Sequence, residues 1–340
     1  MAVIKPISGA EDRVPLAKAA PLASPFTLNV FPTNRCNFRC SYCAQSLGTA
    51  GLEKTYGMDR SSMGLETMAL VVEQSKSFAP YKLLSFMGHG EPLLNRDLPE
   101  MISLASAAKI ARRIEIISNA SLLTRELTDE LIASGLTNLR VSLQGLSSDA
   151  YRKTCSVALD FDRFLERLEY FYTRKKPGME LFIKIMDISL PEEGEEAFYR
   201  IFDGMCDRMY VEHVQPVYHA VPVSAAAGTR TYMYDRYGNA HAPRKVCPLA
   251  FFSLAVWPDG GVQPCDAIYK PLSLGNVHDS VLSEMWNHEA LRQFRIRLLR
   301  GEKEELRGCS VCCAPDDVSH PLDVLDGNTE EIMGKISKGE

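Results

Sequence analysis

The stretch Cys36-Asn37-Phe38-Arg39-Cys40-Ser41-Tyr42-Cys43 decides how this sequence is interpreted. It closely follows the run Phe26-Thr27-Leu28-Asn29-Val30-Phe31, which is typical of a β-strand, and α/β barrels hold their chemistry where strands end. Three thiols leave one iron of a four-iron cluster open, whereas a structural zinc site closes all four positions. We therefore expect an iron–sulfur cluster on Cys36, Cys40 and Cys43, with zinc as the alternative.

Length and composition describe an ordinary globular protein. The chain has 340 residues, 46% hydrophobic and 24% charged, which suffices for a barrel and a smaller domain. No apolar run approaches the ~20 residues of a membrane helix, and residues 1–25 lack the apolar core of a signal peptide. The net charge of −5 gives no electrostatic basis for binding nucleic acid or an anionic membrane. We expect a cytoplasmic protein with neither partner.

Strand-like runs alternate with helix-like stretches over residues 26–215. The six runs begin at Phe26, Leu83, Ile114, Leu139, Leu181 and Met209. Repeated strand–helix units imply a parallel sheet, and a closed barrel would need eight of them. The sequence therefore predicts an α/β fold, a partial (β/α)6 TIM-like barrel. Residues 46–59 are expected to form a polar segment between the first strand and the first helix.

The alternation of strand-like and helix-like runs ends after residue 215. Residues 221–243 show no clear period and are expected to form a connector or an active-site loop. A hairpin is predicted over 252–265, followed by one helix that contains Leu282 and Phe294. A cluster of three cysteines at Cys309–Cys313 and a polar tail complete the sequence. The expected domains are an N-terminal extension (1–25), the barrel (26–215), a connector with a small C-terminal domain (216–320) and a tail (321–340).

The early cysteines, with Tyr42 before the third, resemble the signature of the radical S-adenosylmethionine (SAM) superfamily. The second strand ends in Gly88-His89-Gly90-Glu91, which is similar to the Gly-Gly-Glu motif of that family with His89 in place of the first Gly. The resemblance implies that SAM binds the open iron and is cleaved by one electron to a 5′-deoxyadenosyl radical. It also implies an external one-electron donor of the flavodoxin or ferredoxin type.

Further cofactor-binding residues are implied by the same resemblance. The run Val141–Gly145 is similar to a motif whose Ser, here Ser142, lies near the SAM carboxylate, although relatives often have Asp where Gln144 stands. Ser118, at the end of the third strand, is a candidate of the same kind. Lys184 lies among apolar strand residues, so a carboxylate of SAM or substrate is its expected partner, unless the side chain faces outward.

The late cysteines bear on the type of reaction. Cys247, Cys265 and the Cys309-x2-Cys312 pair resemble the ligands of twitch domains, the shorter form of the SPASM auxiliary-cluster domain. A SPASM domain with two clusters needs about three more cysteines, so we expect one auxiliary [4Fe–4S] cluster, with zinc as the alternative. Cys312 is preferred to Cys313 because a two-residue spacer lets both thiolates face one metal.

The family resemblance implies hydrogen abstraction from a small substrate. We expect dehydrogenation or epimerisation at a carbinol C–H of a sugar, aminocyclitol or nucleotide sugar, because only about 25 residues precede the first strand. Cys155 is the expected hydrogen-atom donor, ahead of Cys206 and the spare member of the Cys312/Cys313 pair. Glu212 or His213 is the expected base, since adjacent strand residues face opposite sides. Tyr218, His219 and Asp266 are weaker candidates.

Two alternatives stay open at this stage. One is a peptide-modifying enzyme that makes a thioether or carbon–carbon crosslink. The other belongs to a different class, a non-catalytic iron–sulfur or zinc protein that transfers electrons. Resemblance to the molybdenum-cofactor cyclase is limited, because the chain ends Lys338-Gly339-Glu340 and lacks the C-terminal Gly-Gly.

Overall fold

The computed structural model describes residues 1–7, 12–190, 194–222 and 233–338. In this part of the chain the strands are β1 (Val3–Ile4), β2 (Thr27–Val30), β3 (Leu83–Phe86), β4 (Ile114–Ser118), β5 (Asn138–Leu143), β6 (Glu180–Met186), β7 (Arg208–Glu212), β8 (Ser253–Val256), β9 (Gly261–Gln263) and β10 (Gly275–Asn276). They form one sheet in the order β1-β7-β6-β5-β4-β3-β2-β8-β9-β10.

The helices lie between these strands and after them. The α-helices are α1 (Leu16–Ala19), α2 (Gly48–Tyr56), α3 (Leu65–Ser75), α4 (Leu98–Ala107), α5 (Arg125–Ala133), α6 (Ser148–Cys155), α7 (Phe161–Arg174), α8 (Glu195–Phe202), α9 (Leu249–Phe252), α10 (Leu282–Trp286), α11 (Glu289–Leu299) and α12 (Thr329–Lys338). Short 3-10 turns span Ala44–Leu47, Pro92–Leu94, Asp187–Ser189, Glu302–Glu305 and Pro321–Asp323, and a π-turn spans Ala314–Val318.

The six predicted barrel strands are present, and each of the first five is followed by a helix. Strands β2 to β7 are neighbours in chain order and all pair in parallel, which confirms the α/β fold with a partial barrel. Their side chains are largely buried on both faces, as expected for a parallel sheet covered by helices. Side-chain caps set the starts of three crossover helices: Thr124, Ser147 and Asp160 each accept a backbone N–H of α5, α6 or α7.

The C-terminal domain is joined to the barrel through the sheet. Strand β8 pairs in parallel with β2, and β9 continues the sheet in the antiparallel sense. The predicted hairpin is therefore present, and it extends the sheet on the side of β2 that faces away from β3. At the opposite edge, β1 from the N-terminal segment pairs in parallel with β7.

Three expectations differ from the structure. The segment 46–59 contains α2, whose C-terminus is closed by Gly57 in the left-handed conformation. The single helix expected around Leu282 and Phe294 is two helices, because His288 accepts the N–H of Ala290 at 3.1 Å and caps α11. The tail contains α12, which buries Ile332 and Ile336. Part of the expected connector, 223–232, lies outside the described residues, and the domain boundaries stay predictions.

No helix among the described residues combines the length and apolar character needed to cross a membrane.

Candidate active site

The candidate residues gather at the carboxyl edge of the barrel strands. The loop of Cys36, Cys40 and Cys43 follows β2, and Gly88 to Glu91 follows β3. Asn119, Gln144 and His213 follow β4, β5 and β7. Because parallel strands end on one side of a sheet, these loops meet at a common mouth, where α/β barrels hold their reactive groups.

Backbone contacts shape the loop of the early cysteines. The N–H of Phe38 donates to Cys36 Sγ at 3.4 Å, and the N–H of Cys43 donates to the carbonyl of Cys40 at 2.9 Å. The loop also rests on the end of α6, where the N–H of Arg39 donates to the carbonyl of Cys155 at 3.1 Å. The path of the loop is thus set by its own backbone hydrogen bonds and by the end of α6.

The early thiols have the chemistry expected of cluster ligands. Burial raises the pKa of Cys36 to about 12 and also raises that of Cys43. The pKa of Cys40 is raised by its contact with the thiol of Cys155 and then by burial. Without a metal, burial and the neighbouring thiols disfavour the thiolate form of these cysteines. Iron binds cysteine as the thiolate. The three side chains fit an iron–sulfur cluster.

Two glycines let the β3 loop approach residues 31–35, which lead from β2 to the cysteine loop. A Cβ on Gly90 would lie 2.2 Å from the carbonyl oxygen of Thr33 and 2.5 Å from that of Arg35, so a larger residue would displace the backbone. Gly88 has φ of +135°, and a Cβ there would lie 2.9 Å from the ring of Phe31. Glycine is thus required at both positions by close packing of the two loops.

Glu91 joins the loops after β3 and β4. Its carboxylate accepts from Ser118 Oγ at 2.6 Å, from the N–H of Asn119 at 2.7 Å and from the N–H of Leu93 at 3.0 Å. The side chain is 2% exposed, and burial raises its pKa. Its oxygen atoms are engaged with the protein, so Glu91 and Ser118 shape the loop that is expected to hold SAM.

His89, which stands where the family motif has glycine, contacts the C-terminal domain. Its Nε2 lies 3.0 Å from the carbonyl oxygen of Asp266, and its Nδ1 lies 3.2 Å from Tyr218 Oη. The ring stacks on Trp257 at 5.6 Å between centroids. Burial lowers the pKa of His89 to about 4, so the imidazole is neutral at pH 7. The side chain therefore joins the β3 loop to the residue after Cys265.

Lys184 is paired within the barrel. Its Nζ lies 2.5 Å from Glu212 Oε2, and the two residues are 6% and 3% exposed. Burial lowers the pKa of Lys184 to about 8. Burial alone would raise the pKa of Glu212, but the charge of Lys184 lowers it to about 2. The carboxylate partner of Lys184, which was expected to come from SAM or the substrate, is thus Glu212 of the protein itself. Ser142 lies opposite Lys184 in the register of β5 and β6.

The late cysteines meet around a second, apolar cavity. It is lined by Cys247, Cys265, Cys309 and Cys312 and by Lys303. Burial raises the pKa of all four thiols, while the nearby charge of Lys303 lowers the pKa of Cys247, Cys309 and Cys312. Four thiols with an adjacent cation fit an auxiliary cluster. Within the described residues, no three Cys, His, Asp or Glu side chains surround one point closely enough for a single metal ion.

One larger cavity, which we call the central cavity, lies between the two cysteine groups. Its volume is about 240 Å³. Tyr42 and Cys43 line it on the barrel side, and Cys312 and Cys313 line it on the other side. The remaining polar and loop residues that line it include Gly88, His89, His213, Gln215, Tyr218, Arg236 and Asp266. The early and late cysteine groups therefore face a shared space.

The predicted acid–base candidates occupy different positions. His213 lines the central cavity, and its Nδ1 lies 3.0 Å from Asp187 Oδ2. Glu212 is paired with Lys184 beneath it. Tyr218 and Asp266 also line the cavity, whereas His219 is exposed. Of this group, His213 has both access to the cavity and a carboxylate that orients its ring.

Cys155 lies behind the early cysteines, which corrects its expected position at the barrel mouth. It is 1% exposed, its Sγ donates to the carbonyl of Tyr151 at 2.9 Å, and it contacts Cys40. As the last residue of α6, Cys155 packs below the cysteine loop. This placement does not support the expected role as a hydrogen-atom donor.

Sequence reasoning missed several residues of the site. Gln215 and Arg236 line the central cavity, Lys303 lines the auxiliary cavity and Asp187 orients His213. Asp187 could have been found, because it follows β6 directly and so lies at the reactive edge. Arg236 and Lys303 lie in segments without a period or motif, and no local signal marks them.

Two sequence families match the chain. The sequence model described as the radical SAM superfamily matches residues 30–203, and the model described as an iron–sulfur cluster-binding domain, SPASM, matches residues 247–314. The first match covers half of the chain. This protein belongs to the radical SAM superfamily and carries an auxiliary-cluster domain; it uses SAM, a [4Fe–4S] cluster and an auxiliary [4Fe–4S] cluster.

Curated relatives match part of the chain. The GTP 3′,8-cyclase of Stenotrophomonas maltophilia is 34% identical over 122 residues, which are 35% of this chain and 34% of that enzyme. Molybdenum cofactor biosynthesis protein 1 of Dictyostelium discoideum is 31% identical over 144 residues, which are 42% of this chain and 21% of that protein. The matched region is thus about a third or less of the length of these relatives.

Solved structures share the fold along most of the chain. Native anSMEcpe with bound AdoMet has a TM-score of 0.59 at 15% identity and covers 93% of this chain and 98% of that one. SuiB of Streptococcus suis bound to S-adenosylmethionine has a TM-score of 0.56 at 15% identity and covers 82% of this chain and 68% of that one. At this identity the likeness concerns the fold.

Proposed function

We propose that this enzyme removes a hydrogen atom from a carbinol C–H of a small polar substrate, a sugar, aminocyclitol or nucleotide sugar. The product arises by dehydrogenation or epimerisation. The central cavity carries the proposal, because the early and late cysteine groups both face it. Its volume of about 240 Å³ lies below the ~300–1,000 Å³ typical of small-molecule sites, which favours a small substrate.

The proposal assigns the cofactors to specific residues. Cys36, Cys40 and Cys43 hold the SAM-cleaving cluster, and Cys247, Cys265, Cys309 and Cys312 hold the auxiliary cluster. Tyr42 and the loop Gly88–Glu91 form the SAM site, supported from below by Ser118, Ser142 and Lys184. When bound, these groups supply a 5′-deoxyadenosyl radical and an acceptor for one electron.

Polar groups of the central cavity suit a substrate that contains hydroxyl or amine groups. Gln215 Oε1 and Arg236 Nε are buried atoms without a partner among the described residues. Both residues line the cavity, together with the carboxylate of Asp266. Because an unpaired buried polar group costs about 1–3 kcal/mol, a ligand that pairs with these atoms is favoured over an apolar one.

His213 is the proposed base. A ketyl formed from a carbinol must lose its hydroxyl proton before it is oxidised to a ketone. His213 lines the cavity, and Asp187 holds its ring at 3.0 Å. General bases of this kind contribute about 10²–10⁴-fold to rate, so His213→Gln should slow ketone formation by that order.

The proposed activity is tested by anaerobic reconstitution of the clusters. The loaded protein is given dithionite, SAM and a panel of sugars, aminocyclitols and nucleotide sugars, and 5′-deoxyadenosine and panel masses are followed by mass spectrometry. A component that loses two mass units indicates dehydrogenation, and one that gains a single deuterium from solvent indicates epimerisation. If both clusters are loaded and no 5′-deoxyadenosine forms, the proposal fails. If 5′-deoxyadenosine forms and no component changes, the proposed substrate class fails.

A further inference from the structure

One charged side chain lines the cavity of the late cysteines, which we call the auxiliary cavity. Apart from Cys247, Cys265, Cys309 and Cys312, the described residues that line it are apolar, aromatic or glycine, with Lys303 as the one exception. The Lys303 side chain is 14% exposed. An ammonium group in such surroundings costs free energy unless an opposite charge lies beside it. Lys303 therefore requires an anion at this cavity.

The neighbouring carboxylates supply little of this opposite charge. Glu304 Oε1 lies 3.9 Å from Lys303 Nζ, and the Glu304 side chain is 73% exposed, so the pair contributes little. Glu302 and Glu305 are held by Arg297 at 2.8 Å and 3.2 Å. Within the described part of the chain, no other carboxylate lies at ion-pair distance from Lys303. The anion that remains is the set of late thiolates with the metal group they bind.

Backbone hydrogen bonds fix Lys303 relative to the late cysteines. Lys303 is the second residue of the 3-10 turn Glu302–Glu305. The N–H of Leu306 donates to the carbonyl of Lys303 at 3.1 Å, and the N–H of Cys309 donates to the carbonyl of Leu306 at 3.1 Å. The turn therefore leads directly into the segment that carries two of the four cysteines.

A positive charge at this place acts on the group that the thiols bind. Burial raises the pKa of Cys247, Cys309 and Cys312, and the charge of Lys303 opposes this rise. A [4Fe–4S] cluster on four thiolates is an anion, and reduction adds one more negative charge. Net charge is one of the factors that set the reduction potential of such a cluster. A nearby cation stabilises the reduced form more than the oxidised form.

We infer that Lys303 is the counter-charge of the auxiliary cluster and holds its reduction potential at a more positive value than the four thiolates alone would give. Lys303 is a positioning residue in this inference, because it acts through the cluster and touches neither substrate nor SAM. The inference about the potential does not depend on which substrate the enzyme uses.

The consequence for the reaction rests on the proposed function. The 5′-deoxyadenosyl radical takes the hydrogen atom of the carbinol C–H bond, the hydroxyl proton passes to His213, and one electron passes to the auxiliary group as the C=O bond forms. The electron released equals in number the one consumed when SAM is cleaved. Since a more positive potential favours this transfer, Lys303 selects dehydrogenation of the two proposed outcomes.

The potential is tested with Lys303→Met, which removes the charge and keeps an unbranched side chain. Protein with both clusters loaded is titrated with dithionite under anaerobic conditions and followed by electron paramagnetic resonance. The auxiliary signal is identified as the one that Cys40→Ala retains. At a fixed potential, the ratio of reduced to oxidised auxiliary cluster should fall about tenfold in Lys303→Met, a shift of ~59 mV to a more negative value for one electron.

Two variants control for the change of side chain. Lys303→Arg keeps the charge and should stay near wild type. Glu304→Gln alters the same turn and should also stay near wild type, because water screens an exposed charge. The ratio is measured on the loaded fraction, so partial loss of iron leaves the result decisive. An unchanged auxiliary potential in Lys303→Met, an equal shift of both clusters, or zinc in place of iron at the late site overturns the inference.

The panel of sugars, aminocyclitols and nucleotide sugars separates this inference from the proposed function. Ketone formed per 5′-deoxyadenosine should fall in Lys303→Met and recover in Lys303→Arg, while 5′-deoxyadenosine formation continues in both. If the potential shifts and no component of the panel reacts, the inference about Lys303 stands and the proposed substrate class fails. If the potential does not shift, the inference fails whatever the panel shows.

Discussion

The early and late cysteine groups are built in opposite ways. Cys36, Cys40 and Cys43 lie on one loop of eight residues, held by its own backbone and by the end of α6. Cys247, Cys265 and Cys309 come from three segments separated in sequence, and they meet around an apolar cavity beside Lys303. The first group is a local motif, and the second exists only when its domain is folded against the sheet.

Because of this difference, we expect the two groups to have separate tasks in the proposed reaction. A three-thiol loop that follows a barrel strand leaves room for a ligand on its open side, where Tyr42 and Cys43 line the central cavity. Four thiols around one cavity can supply all four ligands of a cluster and leave no open iron, and Cys312 lines both that cavity and the central cavity. We therefore expect radical formation at the early group and an influence of the late group on its outcome.

The largest expected effect comes from removing one ligand of each group. Cys40→Ala and Cys265→Ala should each lose about four irons of eight, but only Cys40→Ala should abolish 5′-deoxyadenosine formation. Iron analysis, visible spectra and 5′-deoxyadenosine yield under dithionite measure this. Equal loss of 5′-deoxyadenosine in both variants would mean that the two sites do not act separately.

The second prediction concerns the buried Lys184–Glu212 ion pair of the barrel. Breaking the buried Lys184–Glu212 pair by Glu212→Gln or Lys184→Met should destabilise the protein by about 3–5 kcal/mol, because one charge is left unpaired. Lys184→Met/Glu212→Leu should recover most of this loss. Denaturant unfolding of the metal-free protein under anaerobic conditions measures it, and an additive double variant would contradict direct pairing.

The same pair has a defined pH dependence. Glu212 has a folded pKa of about 2 against 4.5 ordinarily, so its contribution to stability is present above pH 4.5 and is lost as the pH falls towards 2. Lys184 has a folded pKa of about 8 against 10.5, so the unfolded chain binds more protons between these values and stability rises with pH there. Both slopes should disappear in the double variant.

The third prediction concerns the contact between barrel and C-terminal domain. His89→Gly restores the family motif but removes the contacts of the ring with Asp266, Tyr218 and Trp257. At about 1 kcal/mol for each hydrogen bond and a further ~0.5–1.5 kcal/mol for ring stacking, we expect a loss of about 3 kcal/mol.

The loss of stability in His89→Gly should weaken iron binding by the late cysteine group and leave iron binding by the early group unchanged. Auxiliary iron should dissociate faster under a chelator in His89→Gly, while iron of the early cluster is retained. His89→Gln, which keeps one hydrogen bond, is the matched variant and should lie between. Equal iron loss at both sites would contradict a role specific to the domain contact.

The two groups also differ in how far the sequence could predict them. The strand–helix alternation and the loop Cys36–Cys43 are local, so the barrel and the cysteine loop could be predicted from pattern and spacing. The motif at Gly88–Glu91 is also local, and its resemblance to the family motif identified it. The partner of Lys184 could not, because Glu212 lies on the next strand and its pairing depends on register. The access of Cys313 and the position of Arg236 depend on how a segment without periodicity packs against the sheet.

Cys155 gives the smallest expected effect. Its thiol lies against Cys40, and hydrogen bonds to cluster sulfurs influence reduction potential. Once Cys40 binds iron as a thiolate, a neighbouring S–H that donates to it stabilises the reduced, more negative cluster. Cys155→Ala should therefore shift the potential of the early cluster to a more negative value, with iron content unchanged, in a redox titration followed by electron paramagnetic resonance.

The late cluster provides the internal control for this last measurement. Its cysteines line a separate cavity, so its potential should be the same in Cys155→Ala and in the matched variant Cys206→Ala. A shift of both potentials would indicate a general change in packing, and a shift of neither would mean that Cys155 donates only to the carbonyl of Tyr151. A shift confined to the early cluster would show that the loop of three ligands is tuned by a fourth thiol that binds no iron.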